Sequence, residues 1–198
     1  MTLVSPDTLI SGARAGQLVS FPTDTVPALA ARSDRAELIF TAKQRSPDKP
    51  LILMGASLED LMPYVLGSAV ELEAWRTLAR RYWPGALTLV LPASAAVPRA
   101  MNPLDPSTIG LRVPDCAIAR EILAQTGPLA TTSANLSGQP PLQRLAEIDR
   151  AFDGVLTLDP EAIGPLPPAS GLPSTVAKWI GDRWEILRQG SVNLQLPT

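Results

Sequence analysis

Only three lysines occur in the 198 residues, and two of them, Lys43 and Lys49, stand either side of Arg45 in Thr41-Ala-Lys-Gln-Arg-Ser-Pro-Asp-Lys-Pro50. A solvated helix face spreads its cations among acidic partners; here they crowd the end of a helical pattern. Cations converging on a helix-to-loop junction suit phosphates or carboxylates, Arg by bidentate contact and Lys as a mobile point charge. The plainer reading is a basic helix end complementing its dipole. Two further clusters bear on that choice. Pro22-Thr-Asp-Thr-Val-Pro-Ala28 is dense in hydroxyls directly after a short apolar run, and Thr131 to Gln139 holds six polar side chains in nine residues, more than one turn uses. Neither G-x-x-x-x-G-K-[ST] nor G-x-G-x-x-G is present, so any nucleotide would be held by scattered cations, hydroxyls and amides instead.

Composition narrows the chemistry. The chain has no His and one Cys, Cys116. That excludes a Ser-His-Asp triad, a Cys-His pair, a thiolate or His zinc site and an internal disulfide. Catalysis must rest on Lys, Arg, carboxylates, hydroxyls, backbone amides, an oxygen-bound Mg²⁺ or the substrates' own groups; no metal site made of protein side chains is expected. With 17 basic against 19 acidic residues, the protein is not one that coats nucleic acid electrostatically, although a local patch can touch RNA. No apolar stretch reaches membrane-span length and no leader pattern opens the chain, so no membrane partner and a cytoplasmic location are expected.

The elements that must position these groups read as short apolar strands alternating with capped helices, an α/β pattern in one domain over 1–198 with its core at about 10–190. Ser5-Pro6 caps a first helix ending at Gly16, and Gln17 to Phe21 is a strand. Asp34 and Glu37 predict a capping pair for a helix that delivers Lys43 and Arg45. Strands follow at 51–54, 86–91, 108–113 and 129–133, with helices at 57–64, 68–82 (opened by a Ser68/Glu71 capping box), from Pro114-Asp115 to about 126, and at 142–152. A strand at 154–158, a Pro-rich loop or lid at 160–173 and two closing strands complete the chain. Thr108 and Arg112 share one face of their strand with Gly110 between them. On an interior strand that arrangement needs an anion; on an edge strand it needs only water.

Together, Pro22-Thr-Asp-Thr-Val26, Lys43-x-Arg45 with Asp48-Lys-Pro-Leu51, Trp83-Pro-Gly85, Gly110-Leu-Arg-Val-Pro114, Ser133-Ala-Asn-Leu-Ser-Gly138, Pro173-Ser-Thr-Val176 and Ile186-Leu-Arg-Gln-Gly190 resemble the YrdC/TsaC family from about Ser20 to Gly190. The resemblance implies a twisted mixed sheet with flanking helices around a deep, positively charged groove. It implies a nucleotidyltransferase that makes threonylcarbamoyl-AMP and pyrophosphate from L-threonine, bicarbonate and ATP with Mg²⁺, for the t6A modification of tRNA. A separate transferase complex would take the adenylate onward. By the same resemblance Lys43, Arg45, Ser133 and Asn135 form the catalytic set; Thr23, Thr25, Arg112, Ser133 and Ser174 hold L-threonine; and Arg45, Lys49, Thr108, Asn135 and Arg188 hold ATP. The chain departs from the family at Pro27-Ala28, where an aromatic and Gly are usual, and at Met54 and Cys116, where His is common. An alternative is a divergent paralogue that binds nucleotide or double-stranded RNA without threonine activity.

Overall fold

The computed structural model describes residues 3–46, 49–166 and 168–195; Pro47 and Asp48 of the cationic stretch and Pro167 of the Pro-rich loop lie outside the described residues. In chain order the elements are β1 (Leu3–Val4), α1 (Pro6–Arg14), β2 (Val19–Phe21), β3 (Ala28–Arg32), α2 (Glu37–Lys43), β4 (Ile52–Met54), α3 (Leu58–Leu61) and α4 (Ala69–Tyr82). There follow β5 (Leu87–Pro92), β6 (Thr108–Arg112), α5 (Ala117–Thr126), β7 (Leu129–Ser133), α6 (Leu145–Ala151), β8 (Leu156–Leu158), β9 (Thr175–Trp179) and β10 (Trp184–Arg188). The strands join in one sheet of order β1-β8-β2-β3-β7-β4-β6-β5-β9-β10. It is mixed: β4/β6 and β5/β9 run parallel, while β3/β7, β4/β7 and β5/β6 run antiparallel.

Strand alternation gives the sheet two unlike faces. One cross-strand row, Ala130–Leu53–Leu111–Leu89–Ala177, is apolar throughout and no member is more than 1% exposed. Its neighbour, one residue out of phase, reads Thr131–Ile52–Gly110–Val90–Lys178 and faces an open groove. The first row belongs to the core cluster that also takes in Leu9, Ile10 and Ala13 of α1 and Ile122 and Leu123 of α5. Burying such a band supplies most of the driving force for folding, and the opposite face is left for chemistry. Gly110 lies in the middle of the second row. A Cβ there would meet only ordinary contacts at 3.4 and 3.5 Å, so the missing side chain leaves room in the groove.

Ser5 caps α1, and the Ser68/Glu71 box opens α4 as the spacing predicts. The Asp34/Glu37 pair does not form. Asp34 instead takes both nitrogens of the Arg32 fork, at 3.0 and 2.6 Å, and α2 opens without a side-chain cap from a 3-10 turn at Ser33–Arg35. The helix expected from Leu142 begins at Leu145, because the Leu142 N–H donates to Ala134 O at 3.0 Å and ties that residue to the polar loop. Two strands, β1 and β3, lack a sequence signal. β3 is Ala-Leu-Ala-Ala-Arg, poor in β-branched residues, and is a strand because it is clamped between β2 and β7. β6 is interior, between β4 and β5, so Arg112 does need an anion.

Candidate functional site

The groove over the polar face has a volume of about 820 Å³. Arg45, Lys49, Arg112, Lys178 and Arg188 line it, against Asp105 as the acidic lining residue, in a chain of net charge −2. This concentration of cations selects anionic ligands.

One wall comes from the end of α2 and the turn after β7. Gln44 adopts the left-handed conformation (φ 50°, ψ 44°), ends the helix and turns Arg45 toward the groove. Arg45 donates to Lys49 O (3.2 Å), Pro50 O (3.2 Å) and Thr132 Oγ1 (3.3 Å), joining the cationic loop to β7. Lys43, 1% exposed, lies behind the turn rather than on the groove surface. Its Nζ donates to Ser133 O and to Asn135 Oδ1 (3.2 Å). The Ser133 hydroxyl donates to the same Oδ1 at 2.6 Å, and Asn135 Nδ2 donates to Leu136 O and Gln139 O. Burial, and then the charges of Arg45 and Lys49, bring the Lys43 pKa down to about 7.

A second wall is the loop after β2. Thr23 Oγ1 donates to Val26 O (2.7 Å), so in its 3.1 Å contact with Thr25 Oγ1 it accepts. Thr25 also accepts from Arg112 Nη1 at 2.8 Å. Arg112 further donates to Gly85 O (3.1 Å) and, through Nη2, to Asp24 Oδ1 (2.6 Å). The anion required beside Arg112 is thus Asp24. Burial lowers the Arg112 pKa and the Asp24 charge opposes that shift. The Pro-rich loop straps onto this wall through backbone bonds from Ser170 N to Asp24 O and Gly171 N to Thr25 O.

The third wall is the start of β9 with the tail after β10. Ser174 Oγ meets Thr88 Oγ1 at 2.8 Å, and Ser174 O accepts from Arg188 Nε and Nη2 at 3.1 and 2.9 Å. The tail is held by Thr175 Oγ1, which accepts from Gly190 N and Val192 N and donates to Val192 O. A Cβ on Gly190 would collide with Pro173 O and the Ser174 backbone. Gly190→Ala should therefore push the tail off β9 and cost about 1–3 kcal/mol, as overpacking does. Thermal unfolding reads this directly, and an unchanged melting temperature refutes the close-approach account.

At the far end Thr108 Oγ1 accepts from Asn102 Nδ2 (3.1 Å) and donates to Asp105 Oδ2 (3.3 Å). The hydroxyl of Ser107 holds the Asp105 carboxyl below its usual range, and Lys178 adds to the effect. Of the departures from the family pattern, Ala28 and Met54 line the groove, whereas Cys116 is buried at the start of α5, where desolvation raises its thiol pKa.

All the candidate site residues named from the sequence line this one groove except Lys43, which braces its wall. Sequence reasoning passed over Asp24, Thr88, Asn102, Asp105 and Lys178. Lys178 carried a signal, its two-residue spacing from Val176 on a strand; Asp24 carried none beyond standing inside the hydroxyl cluster. A smaller concavity of about 380 Å³, lined by Arg14, Arg32 and Tyr64, is a weaker anion site because Gln125 O and Asp34 already engage its guanidiniums.

The Sua5_yciO_yrdC family model, described as telomere recombination, matches residues 12–190. The chain is 35% identical over 185 residues to a threonylcarbamoyl-AMP synthase of Bacillus subtilis (strain 168), covering 90% of this chain and 51% of that protein. It is 45% identical over 132 residues to a threonylcarbamoyl-AMP synthase of Pyrococcus abyssi (strain GE5 / Orsay), covering 64% of this chain and 37% of the relative. The crystal structure of P. abyssi Sua5 complexed with L-threonine superposes with a TM-score of 0.81 at 34% identity, over 93% of this chain and 54% of the other. The chain thus spans about half the length, or less, of these relatives.

Proposed function

Because the chain belongs to the Sua5/YciO/YrdC family, we propose that it is a nucleotidyltransferase, an L-threonylcarbamoyladenylate synthase. It would convert L-threonine, bicarbonate and ATP into threonylcarbamoyl-AMP and pyrophosphate. The observation that carries this reading is that a cationic wall (Arg45, Lys49) and a pocket of hydroxyls around a buried guanidinium (Thr23, Thr25, Arg112, Ser174) share one groove. Its volume of about 820 Å³ falls within the range of roughly 300–1,000 Å³ usual for ligand clefts.

In this scheme Arg45 and Lys49 take the triphosphate and Arg188 reaches it from the tail. Thr108 and Asn135 contact the nucleotide, while Arg112 receives the threonine carboxylate beside Thr25 and Ser174. The amine and bicarbonate give a carbamate and water. A carbamate oxygen then attacks the α-phosphorus, the bond to the β-phosphate oxygen breaks, and pyrophosphate leaves. The hydrogen-bond directions fit a site that positions rather than attacks. The protons of Thr23, Thr25 and Ser133 are directed to Val26 O, Thr23 Oγ1 and Asn135 Oδ1, so none of the three stands beside a base as an activated nucleophile. Rate then comes from proximity and from fixed cations at the developing charge. No group of three or more acidic, Cys or His side chains able to hold a metal occurs among the described residues. Mg²⁺, when bound with the triphosphate, would supply charge neutralisation at the phosphates, and Asp105 is the carboxylate lining the groove that could help to hold it. The product would serve tRNA t6A modification through a separate transferase complex in the cytoplasm. Among the described residues no helix is long and apolar enough to cross a membrane.

Pyrophosphate release from ATP and bicarbonate, with and without L-threonine and against a panel of other amino acids, tests the reading. The expected outcome is release that needs all three substrates and prefers threonine. Release indifferent to the amino acid, or calorimetry without nucleotide uptake, refutes it; salt-sensitive binding of RNA without ATP turnover would point to an RNA-binding module.

A further inference from the structure

The sheet ends in two unlike edges. At one, β1 pairs with β8 alone through Leu3 and Val4, and Pro6 opens α1 close behind, so this edge is very short. At the other, β10 is five residues long, contains no proline and pairs with β9 alone. Its outer side meets no other strand among the described residues. Two apolar side chains stand out from it, Ile186 at 41% and Leu187 at 52% exposure. A free strand of this length and character is a template for another extended segment, and natural edges are blunted against that by shortness, proline, bulges or charge.

The bulge and the charges of β10 do not blunt it against a copy of itself. Glu185 and Arg188 flank Ile186-Leu187, and Glu185 takes no ion pair among the described residues. The register shifts between Ile186 and Arg188, so that Glu185 lies opposite Lys178, Ile186 opposite Ala177 and Arg188 opposite Val176. Lys178 and Val176 line the groove, while Ala177 is in the core. Residues directly opposite one another share a face. Glu185 and Arg188 therefore both lie on the groove face of the strand, and Ile186 on the other. Without the bulge the two charges would point to opposite faces. A second β10, turned end for end about an axis at Ile186, sets its Arg188 opposite Glu185, its Glu185 opposite Arg188 and its Ile186 opposite Ile186. On the Ile186 face Trp184 backs the edge, packed edge-on against Trp179 at 5.2 Å.

We propose that β10 is an interaction surface for a second copy of this chain, the two β10 strands pairing antiparallel about a two-fold axis at Ile186 with Glu185 and Arg188 as unlike charges on either side. The axis stands perpendicular to the joined sheet, so both grooves open on the same side. This pairing is independent of the synthase reading. Five residues give a small interface, and the dissociation constant is expected in the micromolar range.

Sedimentation equilibrium of the whole chain, from micromolar to near-millimolar protein, should show a monomer–dimer equilibrium. E185K and R188E, each alone, bring like charges together on both sides of the axis and should dimerise at least about tenfold more weakly. Mixed, they should recover a heterodimer, because unlike charges again stand opposite one another. Wild type that stays monomeric throughout overturns the proposal, as do single variants that dimerise like wild type and a mixture that stays monomeric. If circular dichroism shows R188E unfolded, disulfide trapping carries the test. I186C puts two thiols at the axis, where opposed Cα atoms lie about 4.5–5.5 Å apart and a disulfide can close. E185C puts them more than about 7 Å apart, beyond that reach. Mild oxidation should link I186C and leave E185C unlinked, the native Cys116 being buried. Linkage of both alike, or of neither, overturns the pairing.

Discussion

Arg45→Ala should lower threonine-dependent pyrophosphate formation by two to three orders of magnitude, about 3–4 kcal/mol of barrier, the loss seen when a charge-stabilising donor is removed. The same change should cost folding far less. Arg45 is half-buried beyond the end of α2, and its bonds to Lys49 O, Pro50 O and Thr132 Oγ1 tie a loop whose neighbours Ser46, Lys49 and Pro50 are exposed. A net hydrogen bond contributes about 0.5–1.5 kcal/mol, and more when charged and buried, but on this exposed loop water replaces the lost partner, which keeps the folding cost below the catalytic one. Arg45→Lys separates charge from shape: it keeps a cation in the groove but loses the planar fork, so intermediate activity is expected. Steady-state kinetics beside a denaturant melt decides the matter. If the unfolding free energy drops by as much as the activation barrier rises, Arg45 is a structural strut.

How much of this was legible beforehand varies with the kind of interaction. The three clusters of polar and cationic residues could be found because each is a local excess of one residue type, and strand parity alone puts Thr108, Gly110 and Arg112 on one face. The α4 capping box was legible because both partners are three residues apart. What failed was non-local. Asp34 fits a cap by spacing, but Arg32 competes for it from β3. β3 itself becomes a strand through its neighbours, and no alternation in Ala-Leu-Ala-Ala-Arg announces it. Asp24 and Arg112 are 88 residues apart, so no pattern along the chain joins them. Lys43 was read as a groove cation from its proximity to Arg45, yet the left-handed Gln44 between them sends one side chain behind the wall and the other in front.

That division of labour sets the second large effect, which is on pH. Lys43 titrates near 7 in the folded protein against 10.5 for a free lysine. Between those values the unfolded chain binds a proton that the native state does not, so stability must rise as pH climbs from about 7 toward 10.5. Below about pH 7 both states carry the proton and the full cost of the buried ammonium is present. Lys43→Met removes the group at similar length. It should fold, because each acceptor keeps another donor: Asn135 N reaches Ser133 O at 3.1 Å and Ser133 Oγ reaches Asn135 Oδ1 at 2.6 Å. Denaturant melts across that window should slope upward for wild type and lie flatter for K43M; parallel curves would sink the assignment.

The same shift predicts linkage to the ligand. A triphosphate on Arg45 and Lys49 screens two of the charges that hold Lys43 down, so nucleotide binding near pH 7 to 8 should draw a proton onto Lys43. Calorimetry in two buffers of different ionisation enthalpy measures that uptake, and K43M should show none of it. K43M should also lose about a hundredfold in turnover, since an uncharged brace no longer adds field at the phosphates. A K43M protein with wild-type turnover and wild-type proton uptake would make Lys43 a packing residue and leave Arg45 and Lys49 as the cations that matter.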